Sequence, residues 1–204
     1  MSHENQSSGF HPESFDVSKG SRLASLCFGL GVVAALVCGI GFFQDKQQFA
    51  FSWLFGFFVV FSICVGALFW TILHHATDAE WSTLVRRQME NVASVIPPLS
   101  LLFLPLLIFC APLLWKWWTL DPKTEPLLAA KAGYLNKPFF IIRYLFYFSS
   151  LGWVAMTLRG RSIAQDRDGA ASHTFAMRNA SIIGLPLLAV SLTFAAVDWL
   201  MGLD

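Results

Sequence analysis

The chain is 204 residues long, 55% hydrophobic and only 13% charged, with a mean hydropathy of +0.57. That composition excludes a soluble domain with a polar surface. A net charge of +1, without a basic run, excludes a nucleic-acid-binding footprint.

The first 22 residues, "MSHENQSSGFHPESFDVSKGSR", form a polar tail that is too long and too acidic for the basic start of a secretory signal. The first apolar stretch is therefore expected to stay in place. Cys38 in "ALVCG" follows Val37 rather than a small residue, which argues against a lipoprotein site.

Five apolar stretches follow, near Leu23–Phe43, Ala50–Leu73, Val92–Trp115, Pro138–Leu158 and Ser181–Met201. Each has about the 20 residues that cross a hydrocarbon core of roughly 30 Å. Backbone polar groups in lipid must be satisfied within the segment, and the alternation of a barrel strand is absent. The expectation is an all-α integral membrane bundle over residues 23–204 with about five transmembrane helices. The two longest connections, around Lys116–Lys137 and Arg159–Ala180, are each expected to hold no more than short surface helices. No internal repeat of the inverted-transporter kind is visible.

Orientation follows from Lys and Arg in the connections. Eight of them (Lys19, Arg22, Arg86, Arg87, Arg159, Arg161, Arg167, Arg178) share one side, against five (Lys46, Lys116, Lys123, Lys131, Lys137) on the other. This bias predicts a cytoplasmic N-terminus. Trp53, Trp115, Trp117, Trp118 and Trp199 fit an outer aromatic belt, and Trp70 and Trp81 an inner one. Cys27, Cys38, Cys64 and Cys110 lack metal-like spacing and read as small buried hydrophobes.

Ionisable groups at membrane depth are costly and mark pathways or pairs. The second span ends at "FWTILHHATDAEW", with His74 and His75 at the inner boundary; the third begins at "RRQMENVASVIPP", with Glu90 at the same level. One reading is a proton-uptake or quinone-headgroup site, because imidazole titrates near neutral pH and a carboxylate stabilises its charged form. The other is a solvated helix end with ordinary loop charges.

At the opposite face, Arg143 in "NKPFFIIRYLFYF" lies about a turn and a half inside the fourth span. Asp198 in "SLTFAAVDWLMGLD" lies about one turn before the end of the fifth. An ion pair explains both; the alternative is an Arg143 that snorkels alone and an Asp198 that marks a helix end. Ser62, Thr71, Ser100, Ser149, Ser150, Thr157, Ser191 and Thr193 lie between the faces, as a hydroxyl relay or as helix-packing residues. Pro105 and Pro112 in the third span lie seven apart and are expected to open backbone hydrogen bonds on one face.

Three stretches, "GALFWTILHHATDAEWSTLVRRQMENVASVIPPLSLLFLPLL", "YLNKPFFIIRYLFYFSSLGWVAMTLRGRSIAQD" and "SLTFAAVDWLMGLD", resemble the polysulfide-reductase-type (NrfD-like) membrane subunits. The resemblance is closest to the second such subunit, ActF, of bacterial alternative complex III, a quinol:cytochrome c or quinol:high-potential acceptor oxidoreductase. It covers nearly everything after Arg22. It implies a ten-helix family unit of which this chain looks like the first half. It also implies a place in the bacterial cytoplasmic membrane beside a second NrfD-like subunit, an iron–sulfur protein and c-type cytochrome subunits.

Family members carry no redox centre of their own, so haem c and iron–sulfur clusters are expected in the partners. No cofactor, metal or catalytic residue is expected in this chain, which has no cluster motif and no C-x-x-C-H site. Quinol or menaquinol is the implied substrate. The role implied is support of the quinol site and proton translocation, with His74, His75, Glu90, Arg143 and Asp198 as candidates. Half of a secondary transporter and a membrane assembly or scaffold protein are the alternatives.

Overall fold

The computed structural model describes residues 17–79, 82–121 and 125–203, and the expectations that rest on residues 1–16, Trp81 and Lys123 lie outside them. The chain divides into two units, residues 1–44 and 45–204. Among the described residues every regular element is helical. Five helical segments are long and apolar enough to cross a membrane, which makes this a multi-pass membrane protein.

The first unit is built on α1 (Val17–Gln44), whose apolar run carries no acidic residue in its first turn and no basic residue in its last. Cys27 and Cys38 are exposed on it, contrary to the expectation of burial, whereas Cys64 and Cys110 in the second unit are buried. An apolar thiol on a helix surface suits lipid as well as a protein core.

In the second unit, Asp45 starts α2 (Lys46–Thr77) by accepting hydrogen bonds from the backbone N–H of Gln47 and Gln48 at 2.9 and 3.0 Å. The helix ends at Asp78, which adopts the left-handed conformation (φ 49°). Asp tolerates that region better than most residues because its short side chain bonds locally. Next come α3 (Thr83–Ala93) and α4 (Ile96–Pro105), the latter with proline in its first turn.

The expected opening at the prolines takes the form of a π-turn, Leu106–Cys110, directly after Pro105. A short α5 (Ala111–Leu114) follows, with Pro112 in its first turn. The Trp53 indole N–H from α2 donates to the Leu102 carbonyl at 2.9 Å, a second partner where proline and a widened turn weaken the helix ladder.

A 3₁₀ turn (Lys116–Trp118) and α6 (Pro126–Lys131) supply the short helices expected in the first long connection. The second long connection is not there. Helix α7 (Lys137–Asp168) runs through Arg159–Asp168, and α8 (Ala171–Ala196) starts three residues later, so only Gly169 and Ala170 intervene. Charged residues mark where a span leaves the hydrocarbon, and the helix itself continues. Gly169 stops it at φ +66°, with its N–H on the Gln165 carbonyl at 2.8 Å, the left-handed C-terminal cap that glycine makes without strain.

Helices α7 and α8 lie close enough that a Cβ placed on Gly184 would sit 2.8 Å from Val154 Cγ1. A second π-turn, Val197–Met201, ends α8 and turns both Asp198 and Trp199 into the interior. Trp199 joins Phe57, Phe61, Phe103, Tyr147 and Phe148 in one aromatic core, with its ring centroid 4.5 Å from that of Phe103. Trp115 and Trp199 are thus fully buried packing residues, not members of an interfacial belt. Their apolar bodies are worth more inside the bundle than at its rim.

Candidate functional site

Two polar clusters lie at opposite ends of the bundle. The first belongs to the end where α7 begins. Asn136 caps α7 by accepting the Phe139 N–H at 2.8 Å, and its amide donates to the Ala132 and Gly133 carbonyls, both at 3.1 Å. The preceding loop is thereby fixed. Arg143 lies in the second turn of α7, opposite the π-turn of α8.

The structure brings Arg143 and Asp198 together. Arg143 Nε donates to Asp198 Oδ2 at 2.7 Å, and a terminal guanidinium nitrogen donates to Oδ1 at 2.9 Å. This forked geometry is the strong form of an ion pair. The other guanidinium nitrogen donates to the Tyr134 carbonyl at 2.9 Å, and Tyr147, one turn after Arg143, donates its hydroxyl to Asp198 Oδ2 at 2.6 Å. Tyr134 and Phe139 place their rings 3.9 and 4.5 Å from the guanidinium carbon, within cation–π range. Arg143 is 7% and Asp198 4% exposed, so two charges are desolvated together. Such a pair persists because its own hydrogen bonds offset a large desolvation cost.

The second cluster is at the end where α2 stops. His75 is 5% and Glu90 1% exposed, so neither is a solvated end group. Glu90 Oε2 accepts from Arg87 at 2.9 Å, while Oε1 faces Arg86 Nε at 3.5 Å and His75 Nε2 at 3.6 Å. The last two are too long for hydrogen bonds, and both Glu90 Oε1 and His75 Nε2 are left without a partner. Arg87 also pairs with Asp166 on the extended end of α7, and Arg178 on α8 pairs with Asp78.

His74 points elsewhere. Its Nδ1 meets the Ser82 hydroxyl, and it lines, with Trp70, Thr71, Val85, Arg86 and Met89, a pocket of about 220 Å³. His75 and Glu90 are thus neighbours, and His74 belongs to the adjoining pocket.

The hydroxyls expected between the clusters mostly turn back on their own helices. Ser62, Thr71, Ser100 and Thr193 each donate to a carbonyl three or four residues earlier, and Ser149 does the same. Ser150 likewise donates to the Tyr147 carbonyl at 3.1 Å, and its oxygen also meets that of Ser191 at 3.0 Å across the contact of α7 with α8. Ser150 lies one turn beyond Tyr147, so this pair extends the Asp198 cluster inward.

Sequence reasoning missed two members of the first cluster. Tyr147 carries a findable signal, being four residues after Arg143 on one helix face. Tyr134 carries none, because its place depends on how the loop before α7 folds back. No protein-family model matches the chain, and no curated protein matches it either.

Proposed function

We propose that this chain is an integral subunit of a membrane-bound quinol:cytochrome c, or quinol:high-potential acceptor, oxidoreductase in the bacterial cytoplasmic membrane. Its N-terminus faces the cytoplasm, and it supports the quinol site and carries protons. The partners in this reading are a second NrfD-like subunit, an iron–sulfur subunit and c-type cytochromes, which hold the redox centres.

The observation that carries the proposal is the buried Arg143–Asp198–Tyr147 cluster inside an apolar bundle. A bundle that only packs gains nothing from burying two charges, since well-packed apolar residues of similar volume hold helices as well or better. Quinol oxidation, in contrast, releases protons that need ionisable groups along a hydrated route. In this reading Asp198 serves one end of the route, the Ser150–Ser191 pair continues it inward, and Glu90 with His75 serves the other end. The unpartnered Glu90 Oε1 and His75 Nε2 are the atoms there that are free to take a proton or a water. The adjoining pocket at His74 has almost wholly apolar walls, which suits the apolar ring of a quinone.

The test is native electrophoresis of gently solubilised membranes, with the band that holds this chain examined for haem c absorbance. Co-migration in a large haem-bearing particle is the expected result. A small haem-free band from fully extracted membranes contradicts the proposal and favours an independent membrane protein.

A further inference from the structure

Ser162 on α7 and Ser181 on α8 are both fully buried, at 0% exposure. Hydroxyls elsewhere in these spans satisfy themselves on a carbonyl of their own helix one turn back, as those of Thr71, Ser149 and Thr193 do. These two forgo that bond: among the described residues neither hydroxyl has a hydrogen-bond partner. Nor do Glu90 Oε1 and His75 Nε2, which face each other across 3.6 Å. Buried polar atoms without hydrogen bonds are rare in folded proteins, and ordered water is a usual complement.

The contacts on either side of each residue bring all four to one level. On α8, Ser181 lies three residues from Arg178 and three from Gly184. Arg178 pairs with Asp78, and a Cβ on Gly184 would sit 3.5 Å from Ile72 Cδ1. Midway between Asp78 and Ile72 is His75, so Ser181 and His75 are level on neighbouring helices. On α7, Ser162 lies between Arg159, whose Nε donates to the Asn91 side chain at 3.1 Å, and Asp166, which pairs with Arg87. Glu90 lies between Arg87 and Asn91, so Ser162 and Glu90 are level as well. The approach of His75 to Glu90 joins α2 to α3, and a bond from Gln165 to Thr174 at 2.7 Å joins α7 to α8. Four helices thus form a ring at the level of the four atoms.

We infer that this ring encloses a buried water site, in which Glu90 Oε1, His75 Nε2 and the hydroxyls of Ser162 and Ser181 share ordered water. The polar set selects the ligand. A metal ion is disfavoured because the Arg86 guanidinium faces Glu90 Oε1 at 3.5 Å and Arg87 holds the other oxygen, so the carboxylate charge is already met. An anion is disfavoured by the carboxylate itself. Water donates to a carboxylate and either donates to or accepts from a hydroxyl or an imidazole, so it suits all four. The buried side chains of Ile72, Val154 and Leu158 close the side toward the core, and the ion pairs of Arg178 with Asp78 and Arg87 with Asp166 tie the helices on the other. The site goes beyond the respiratory reading and does not rest on it, since water that joins four helices is a ligand of the bundle whatever the bundle does.

Water-edited solid-state NMR of the full chain, isotope-labelled in liposomes, tests the site by following polarisation from water protons into side chains. Ser191 is the dry control: it is equally buried on the same helix as Ser181, and its hydroxyl meets that of Ser150 at 3.0 Å. The site predicts transfer into the Cβ of Ser162 and of Ser181 at least about threefold faster than into that of Ser191. Ser162→Ala removes one of the hydroxyls that hold the water and is expected to slow transfer into Ser181 at least about twofold, with Ser181→Ala doing the same at Ser162. Water that reached either serine from the bilayer surface would not respond to a change on the other helix.

A faster Ser191 in one variant reports a loosened bundle, and the reciprocal variant, or the unmodified chain where both loosen, then decides. Transfer into Ser162 and Ser181 as slow as into Ser191 in the unmodified chain overturns the site. A Ser181 rate indifferent to Ser162→Ala in an intact bundle overturns it too.

Discussion

The two ends of the bundle solve the same problem, a buried carboxylate, in opposite ways. Asp198 is closed: both its oxygens accept hydrogen bonds from Arg143, one also from Tyr147, and the guanidinium is itself saturated by a backbone carbonyl and two aromatic faces. Glu90 is open: one oxygen is bonded to Arg87, whereas the other faces a guanidinium and an imidazole across gaps longer than a hydrogen bond. The first end depends on a single cation held by the core. The second draws on two partly exposed arginines, of which Arg87 also pairs with Asp166. The closed end thus has every carboxylate oxygen bonded, and the open end leaves one carboxylate oxygen and one imidazole nitrogen without a partner.

The contrast is broken most severely by taking the single cation away. Arg143→Met leaves Asp198 buried and uncompensated and is expected to cost about 3–5 kcal/mol in unfolding from mixed micelles. Adding Asp198→Leu to the same chain is expected to restore most of that loss, and a double variant as unstable as the single one speaks against a pairwise origin. Tyr147→Phe removes one hydrogen bond to a charged acceptor and is expected to cost about 1.5–3 kcal/mol in the same assay.

Gly184→Ala acts on the seam between α7 and α8, where Ile72 of α2 also packs. Its Cβ meets the stiff, branched Val154 side chain at 2.8 Å, so overpacking of about 1–3 kcal/mol is expected. At the open end Arg86→Met is expected to cost under about 1 kcal/mol, because Arg87 still neutralises Glu90 and the pair is partly screened. The smallest effect is reserved for Asp78→Asn, which removes a half-exposed pair with Arg178. A change near zero in high salt and only a few tenths of a kcal/mol in low salt is expected there.

Much of this was legible in the sequence because membrane solvent imposes simple rules. Span number follows from apolar length, and the meeting of Arg143 with Asp198 follows from the depth of each residue in consecutive antiparallel spans. What failed was the use of charge to end helices. Arg159 to Asp168 lie outside the apolar stretch, yet α7 continues through them to the glycine at 169, since leaving lipid does not end a hydrogen-bond ladder.

The tryptophans misled for a related reason. Trp115 and Trp199 lie at span ends, where a belt is expected, but the π-turn at Val197–Met201 rotates Trp199 into the core. Single-turn widenings of this kind leave no mark in hydrophobic periodicity. Pro105 signalled that the ladder would open at the other π-turn without specifying how. Tyr134 joins the cluster by loop geometry alone, which no spacing rule encodes.

The most direct test of the proton-carrying role is the number of protons released per electron during quinol oxidation by the assembled complex carrying Asp198→Asn. The comparison is made at matched haem content with the unsubstituted complex. A lowered ratio, with electron transfer retained, is the predicted result. An unchanged ratio in a fully assembled Asp198→Asn complex contradicts the role assigned to this carboxylate and leaves the Arg143–Asp198 pair as a device of packing.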